Sequence, residues 1–260
     1  MAAQGPVQIA ERVYWVGTRL PDDRFQSHPY LIVNGSDSVL IDPGSVLTID
    51  ETLRSVADLI AVSDIRWIVA HHADPDVVGA LGVLSNAITR PDARIVTEWR
   101  AAALLKHYGH RFEYYLVEEN DWTLDLGADD HLEFQLTPYL HFPGAMVSFD
   151  TRTRTLFSAD IFGGFVPDSA ILVSSDVDYI IDSARPFHQH YMPSRELLEA
   201  GLGRIQHRWP RIDRIAPQHG HVVDTPAVQG VFDALKRVDC GVFALADADL
   251  DLNRLLRISQ

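Results

Sequence analysis

Trp67-Ile68-Val69-Ala70-His71-His72-Ala73-Asp74-Pro75-Asp76 is the stretch whose reading decides the fold. It opens as a short apolar run with the composition of a buried strand. It then turns polar and ends on two carboxylates around a proline, in the kind of loop that presents functional groups beyond a rigid strand. Taken alone it has a plain alternative. Asp74 or Asp76 caps the helix expected from about Val78 to Ile88, with Pro75 suited to its start. Following the chain outward weakens that alternative, because the same design returns three times. His141 follows Leu136-Thr137-Pro138-Tyr139-Leu140, Asp160 follows Leu156–Ala159, and His219 follows Ile215-Ala216-Pro217. Strand ends converging on one sheet edge would gather three imidazoles and three carboxylates, enough for two divalent metals with one carboxylate between them. Nitrogen and oxygen donors without thiolate suit iron, manganese or zinc, and carboxylates on both metals favour iron or manganese. Three aspartates without a cation repel one another, so the metal is also the charge balance.

The rest of the chain supplies the frame. Val13–Val16, Tyr30–Val33 and Val39–Ile41 are short β-branched or aromatic runs, bounded by Asn34-Gly35-Ser36-Asp37 and Asp42-Pro43-Gly44. Ile49, Leu53, Val56, Leu59 and Ile60 recur at helical spacing after Thr48. Arg94–Thr97 reads as a strand and Glu98–Lys106 as a helix. Trp122–Leu126 and Leu132–Leu136 alternate as half-exposed strands do. Met146–Phe149 and Leu156–Ala159 read as a hairpin about Asp150-Thr151-Arg152-Thr153. Arg195–Trp209 and Pro226–Val238 read as helices with a strand, Ile212–Ala216, between them. Residues 161–190 are less regular and read as an insertion or lid. This order predicts a mixed α/β architecture with helices covering sheets. With no linker and no repeat, one domain is expected over 1–260.

Composition excludes several classes. The chain has 260 residues, of which 47% are apolar and 22% charged, a globular balance. Its 22 Lys and Arg against 36 Asp and Glu give a net charge of −14, unsuited to nucleic acid or anionic membranes. The single Cys240 excludes an internal disulfide and a cysteine-cluster metal site. No apolar stretch of about 18 residues is present, so no membrane span is expected. The first twenty residues show no signal-peptide pattern, which points to a cytoplasmic protein. Twelve histidines in so acidic a chain are the remaining oddity.

The local strings carry a resemblance. Leu140-His141-Phe142-Pro143 with Met146 resembles the Leu-His-Trp-Pro-x-x-Met of flavodiiron proteins. Leu156-Phe157-Ser158-Ala159-Asp160-Ile161-Phe162-Gly163 resembles their Leu-Phe-Ser-x-Asp-x-Phe-Gly, and Ala216-Pro217-Gln218-His219-Gly220 resembles Ala-Pro-x-His-Gly. The chain is thus similar, over about residues 8–240, to the diiron domain of flavodiiron proteins, a metallo-β-lactamase fold. That resemblance implies an αββα four-layer sandwich. It implies that His72, Asp74 and His141 hold one metal, Asp76 and His219 the other, and that Asp160 bridges them. Two positions depart from the pattern. Asp74 stands where the family usually has Glu, and Val77 stands where another His is common. His71 and His28 are the substitutes nearest in sequence, while His188, His190 and His221 read as surface or packing residues. No FMN phosphate loop follows any strand, and the expected flavodoxin-like domain is absent before Gln260. The chain therefore resembles the stand-alone oxygen-binding diiron relatives.

These readings predict a non-haem diiron protein that binds dioxygen for sensing, or reduces O2 or NO with an external electron donor. The alternative is a dinuclear hydrolase of thioesters, lactones or phosphoesters, in which a metal-bound hydroxide attacks. A third reading is a signalling adaptor. The cofactors expected are two metal ions, iron first, with manganese and zinc as alternatives and no FMN. The partners expected are O2 or NO, a donor or signalling protein, and a second copy of the chain, since flavodiiron relatives are dimers. Tyr114, Tyr115 and Tyr179 are the aromatics expected on its surface.

Overall fold

Strands Tyr30–Ile32, Ser38–Ile41 and Ile65–Val69 are apolar apart from Ser38 and Arg66, and nearly every residue in them is buried. Runs of that kind form sheets covered on both faces. In a computed structural model that describes residues 5–241, they sit at the centre of a sheet of seven strands in chain order. These are β1 (Val7–Ala10), β2 (Val13–Trp15), β3 (Tyr30–Ile32), β4 (Ser38–Ile41), β5 (Ile65–Val69), β6 (Arg94–Thr97) and β7 (Glu113–Leu116). The first four pair antiparallel, β1 with β2 and β3 with β4 through short turns and β2 with β3 through residues 16–29. From β4 to β7 the pairing is parallel, which requires crossovers. Helix α1 (Ile49–Ala57) makes the first, α2 (Pro75–Val78) with α3 (Leu81–Ala87) the second, and α4 (Trp99–Leu105) the third. A hairpin of β8 (Thr123–Gly127) and the start of β9 (Asp130–Leu136) follows.

The chain divides into two compact units. One gathers residues to Thr18, Ser27–Phe134 and Asp150–Thr153, and holds the sheet just described. The other gathers Arg19–Gln26, Gln135–Phe149 and the chain from Arg154 onward. Its strands are β10 (Met146–Asp150), β11 (Thr155–Phe157), β12 (Val173–Ser174), β13 (Arg214–Ala216) and β14 (Val222–Val223), in the order β12-β14-β13-β11-β10. Helices α5 (Val177–Tyr191), α6 (Arg195–Arg208) and α7 (Val228–Leu235) pack in its core with Phe149, Leu156, Phe162, Phe187, Leu202 and Phe232.

Helix α5 corrects the expectation that 161–190 is irregular. Val177–Tyr191 is one helix, capped where the Asp176 side chain accepts from the Tyr179 N–H at 3.1 Å. Ile180, Ile181, Ala184, Phe187 and His188 form its buried stripe. Pro186 inside the helix and a histidine within the stripe hide that period from a sequence reading. Tyr114 and Tyr115 are likewise half-buried. The Tyr115 hydroxyl donates to Thr123 O at 2.8 Å, and the Tyr114 hydroxyl bonds His110 Nε2 at 3.0 Å. Tyr179 is exposed as expected.

Candidate metal centre

In the first unit the donors follow β5. Ala70 N–H still donates to Val96 O at 3.0 Å, so the parallel pairing outlasts the strand by one residue. The carboxyl ends of parallel strands are where such sheets bind ligands. The two adjacent histidines then part. His71 is held by Asp42, which follows β4: its N–H donates to Oδ1 at 3.0 Å, and its Nδ1 lies 2.6 Å from Oδ2. This pairing ties His71 into the frame, not among the donors. His72 instead places Nε2 at 3.7 Å from Asp74 Oδ2. Asp74 stands at the N-cap of α2 with Pro75 next, yet its side chain makes no cap hydrogen bond. The helix-cap reading of the motif thus gives the backbone correctly and the carboxylate wrongly. Asp76 lies in the single turn of α2. Tyr108 borders both aspartates. Its hydroxyl donates to Ala73 O at 2.7 Å, and burial followed by the charges of Asp74 and Asp76 pushes the phenol pKa up. Val77 is fully buried. His28 Nδ1 accepts from the Trp15 indole N–H at 3.0 Å.

In the second unit three donors meet. Strands β11 and β13 pair in parallel from Thr155↔Arg214 to Phe157↔Ala216. The pairing runs on through Ser158 N–H to Ala216 O at 3.2 Å and Gln218 N–H to Ala159 O at 2.8 Å. Asp160 and His219 therefore emerge side by side. Asp160 Oδ1 is 3.6 Å from His219 Nε2, and Oδ2 is 2.8 Å from His141 Nε2. One buried carboxylate thus turns a different oxygen to each of two histidines.

Each donor is held by named contacts. His219 Nδ1 lies 2.9 Å from Gln26 O. A carbonyl accepts only from N–H, so Nδ1 carries the proton and the Nε2 lone pair is left toward Asp160. That arrangement is the usual one for a metal-binding histidine. The Gln26 amide in turn binds Leu20 N–H, Leu20 O and Asp23 O, and the Phe25 ring packs 4.3 Å from His219. His141 rides a turn closed by Tyr139 N–H to Phe142 O and Leu140 N–H to Thr137 O. Leu140 is buried where α6 has Gly201, and a Cβ there would come within 2.3 Å of Leu140 Cδ1. Around Asp160, Ala159 and Phe162 have φ of +49° and +69°, each a left-handed conformation costing about 1–2 kcal/mol for a residue with a side chain.

His188 and His221 are buried, not surface residues. Burial pushes the His188 pKa down to about 4 from its ordinary 6.5. The fold therefore favours the neutral ring, and its contribution is complete above pH 6.5 and is lost as pH falls toward 4. Across that window, stability of the metal-free protein is expected to fall by up to about 1.4 kcal/mol per pH unit on this account. Urea unfolding at several pH values, compared with His188→Gln, measures it. The variant should show the shallower acid slope.

The donor set fits metal: imidazole nitrogens and carboxylate oxygens, buried or half-buried, with ring tautomers set by backbone carbonyls. A family model described as ODP family beta lactamase matches residues 25–220. The chain belongs to this family. Within the ODP family it has the metallo-β-lactamase fold expected from its sequence, an αββα sandwich, as its structural neighbours show. It resembles the flavodiiron protein from Giardia intestinalis, with a TM-score of 0.79, 21% identity, and coverage of 90% of this chain and 59% of that one. It also resembles the peroxy diiron species of the chemotaxis sensor ODP, with a TM-score of 0.75, 23% identity, and coverage of 92% and 97%. In sequence it is 29% identical over 231 residues to the anaerobic nitric oxide reductase flavorubredoxin of Salmonella arizonae, covering 83% of this chain and 48% of that protein. The chain thus spans about half the length of the curated relatives it matches. No helix among the described residues is long and apolar enough to cross a membrane.

Proposed function

We propose that this ODP-family chain is a non-haem diiron protein that binds dioxygen. His72, Asp74 and His141 hold one iron, Asp76 and His219 the other, and Asp160 spans them. The observation that carries this reading is Asp160, whose two oxygens face His141 at 2.8 Å and His219 at 3.6 Å. Similarity to proteins named as diiron sensors and flavodiiron proteins supports iron over zinc. When bound, two ferrous ions supply a binding place for a diatomic ligand and the electrons to reduce it.

The chain's own residues do the rest. Gln26 O and Ala73, through Tyr108, fix the loops that bear His219 and Asp74. Val77 presents an apolar side chain where the family pattern has a histidine, which withholds a protein donor and keeps that position for the ligand. NO is the second ligand proposed, after the relatives named as nitric oxide reductases. An external electron donor is the further partner proposed, and oxygen sensing is the role proposed ahead of turnover. A homodimer is part of the proposal.

Anaerobic reconstitution with Fe(II), metal analysis, and titration with O2 and with NO test this. Two irons per chain and an absorbance change on O2 are expected. An iron-loaded protein without spectral change or O2 uptake overturns the proposal. Zinc-loaded protein that cleaves thioesters or lactones would move the site to hydrolysis.

A further inference from the structure

One face of α5 backs all three donors of the second unit. Ala184, Phe187, His188 and Tyr191 are spaced so that they share that face. The Tyr191 ring lies 5.4 Å from His141, and the Phe187 ring 5.3 Å from His219, with Phe187 and Tyr191 stacked at 4.7 Å. The third donor, Asp160, is reached by hydrogen bonding. His188 Nδ1 lies 2.8 Å from Ala184 O, and its Nε2 lies 3.1 Å from Phe162 N. A carbonyl cannot donate, so Nδ1 bears the proton and Nε2 accepts the Phe162 N–H. A fully buried imidazole stays neutral, so this acceptor is present at ordinary pH.

The bond matters because of where it lands. Phe162 is two residues past Asp160 and sits at φ +69°, with Ala159 on the other side at +49°. A turn with two side-chain-bearing residues in the left-handed region persists only where its surroundings over-determine it. Its other ties are local or to the neighbouring strand: Ser158 Oγ to Ile161 O, Gly163 N–H to Asp160 O, and Gln218 N–H to Ala159 O. His188 ties the turn to helix α5 through its side chain.

We propose that His188 is the positioning residue for Asp160, fixing the turn that aims this carboxylate at both histidines. This rests on the metal-centre reading above.

The test uses the full chain and Co(II), read by visible absorbance. His188→Asn keeps a donor near Ala184 O but stops short of Phe162. His188→Gln places an acceptor near the old Nε2. Leu202→Ala is the control, a core substitution on another helix of the unit that lowers stability without removing a hydrogen bond of the turn. The Asn variant is expected to bind Co(II) about tenfold or more weakly with an altered visible spectrum. The Gln variant should recover both, and Leu202→Ala should leave both unchanged. Wild-type affinity and spectrum in the Asn variant overturn the proposal, as does equal weakening in Leu202→Ala. If the Asn variant does not fold, the Gln variant decides: weak binding there overturns the proposal. Wild-type protein that binds no Co(II) overturns the metal centre itself, a separate result visible before any variant is compared.

Discussion

Asp160→Asn is expected to remove metal binding while leaving the metal-free fold in place. The Asp160 side chain is about as buried as that of any core residue, at 3% exposure. The amide has the same volume, so no cavity forms, and it can still hydrogen-bond His141 Nε2, 2.8 Å away in the wild type. What is lost is the negative charge and the second equivalent oxygen. On the proposed assignment, the metal ions would lose an anionic ligand that offsets their charge. Changes to groups that merely support metal ligands already cost about 10–100-fold in affinity, so loss of a shared ligand should exceed that. Linkage turns this into a stability measurement. Metal present at about a thousand times its dissociation constant stabilises the wild type by about 4 kcal/mol. Anaerobic melting with and without Fe(II) should therefore show a shift in the wild type and none in Asp160→Asn. The two metal-free proteins should melt within a few degrees of each other. An equal Fe(II)-dependent shift in the variant removes Asp160 from the ligand set.

The sequence discloses the donors more readily than what holds them. Asp160 and His219 are legible because each follows an apolar run, and the parallel pairing of β11 with β13 then brings them together. Apolar runs and the residues just past them are local signals. Asp74 needed structure. A capping aspartate and a ligand aspartate have the same sequence signature, and only the side chain's direction toward His72 separates them. His71 and His72 differ for a reason equally invisible in the chain, since the Asp42 that claims His71 is 29 residues away. Helix α5 was lost to Pro186 and to a buried histidine that breaks an otherwise apolar stripe. His188, read as a surface or packing residue, is a packing one, and the lone pair that makes it useful inside the core is what interrupts the apolar period.

Gly220→Ala is expected to be strongly destabilising to the second unit, and its cost can be traced through three layers of backbone. Gly220 follows His219 directly and has φ +84°, a conformation that favours glycine. A Cβ there would stand 2.7 Å from Gly164 N and 3.1 Å from Gly164 Cα. Both are backbone atoms, so no rotamer change relieves the contact. Gly164 has little room to retreat: a Cβ on it would meet Ser183 Oγ at 2.7 Å and Ser183 C at 2.9 Å, and Phe165 N–H is bonded to Ser183 O. The left-handed conformation costs about 1–2 kcal/mol for alanine, and overpacking of this kind about 1–3 kcal/mol more. A total of about 3 kcal/mol corresponds to a melting temperature lower by about 10 °C in a protein of this size. The strain lands on the site, because Gly163 N–H is bonded to Asp160 O and Gly220 is bonded to His219 by the chain itself. Pushing these two loops apart separates two donors of one metal centre, so metal content should fall along with stability. Gly203→Ala supplies the opposite sign. Gly203 lies in α6 with nothing within 4 Å of a new Cβ, and alanine there should stabilise by about 0.5–1 kcal/mol. Calorimetry and metal analysis of the two variants side by side decide the point. If Gly220→Ala melts within 2 °C or so of the wild type, the approach of the two loops is not the constraint that brings Asp160 to His219.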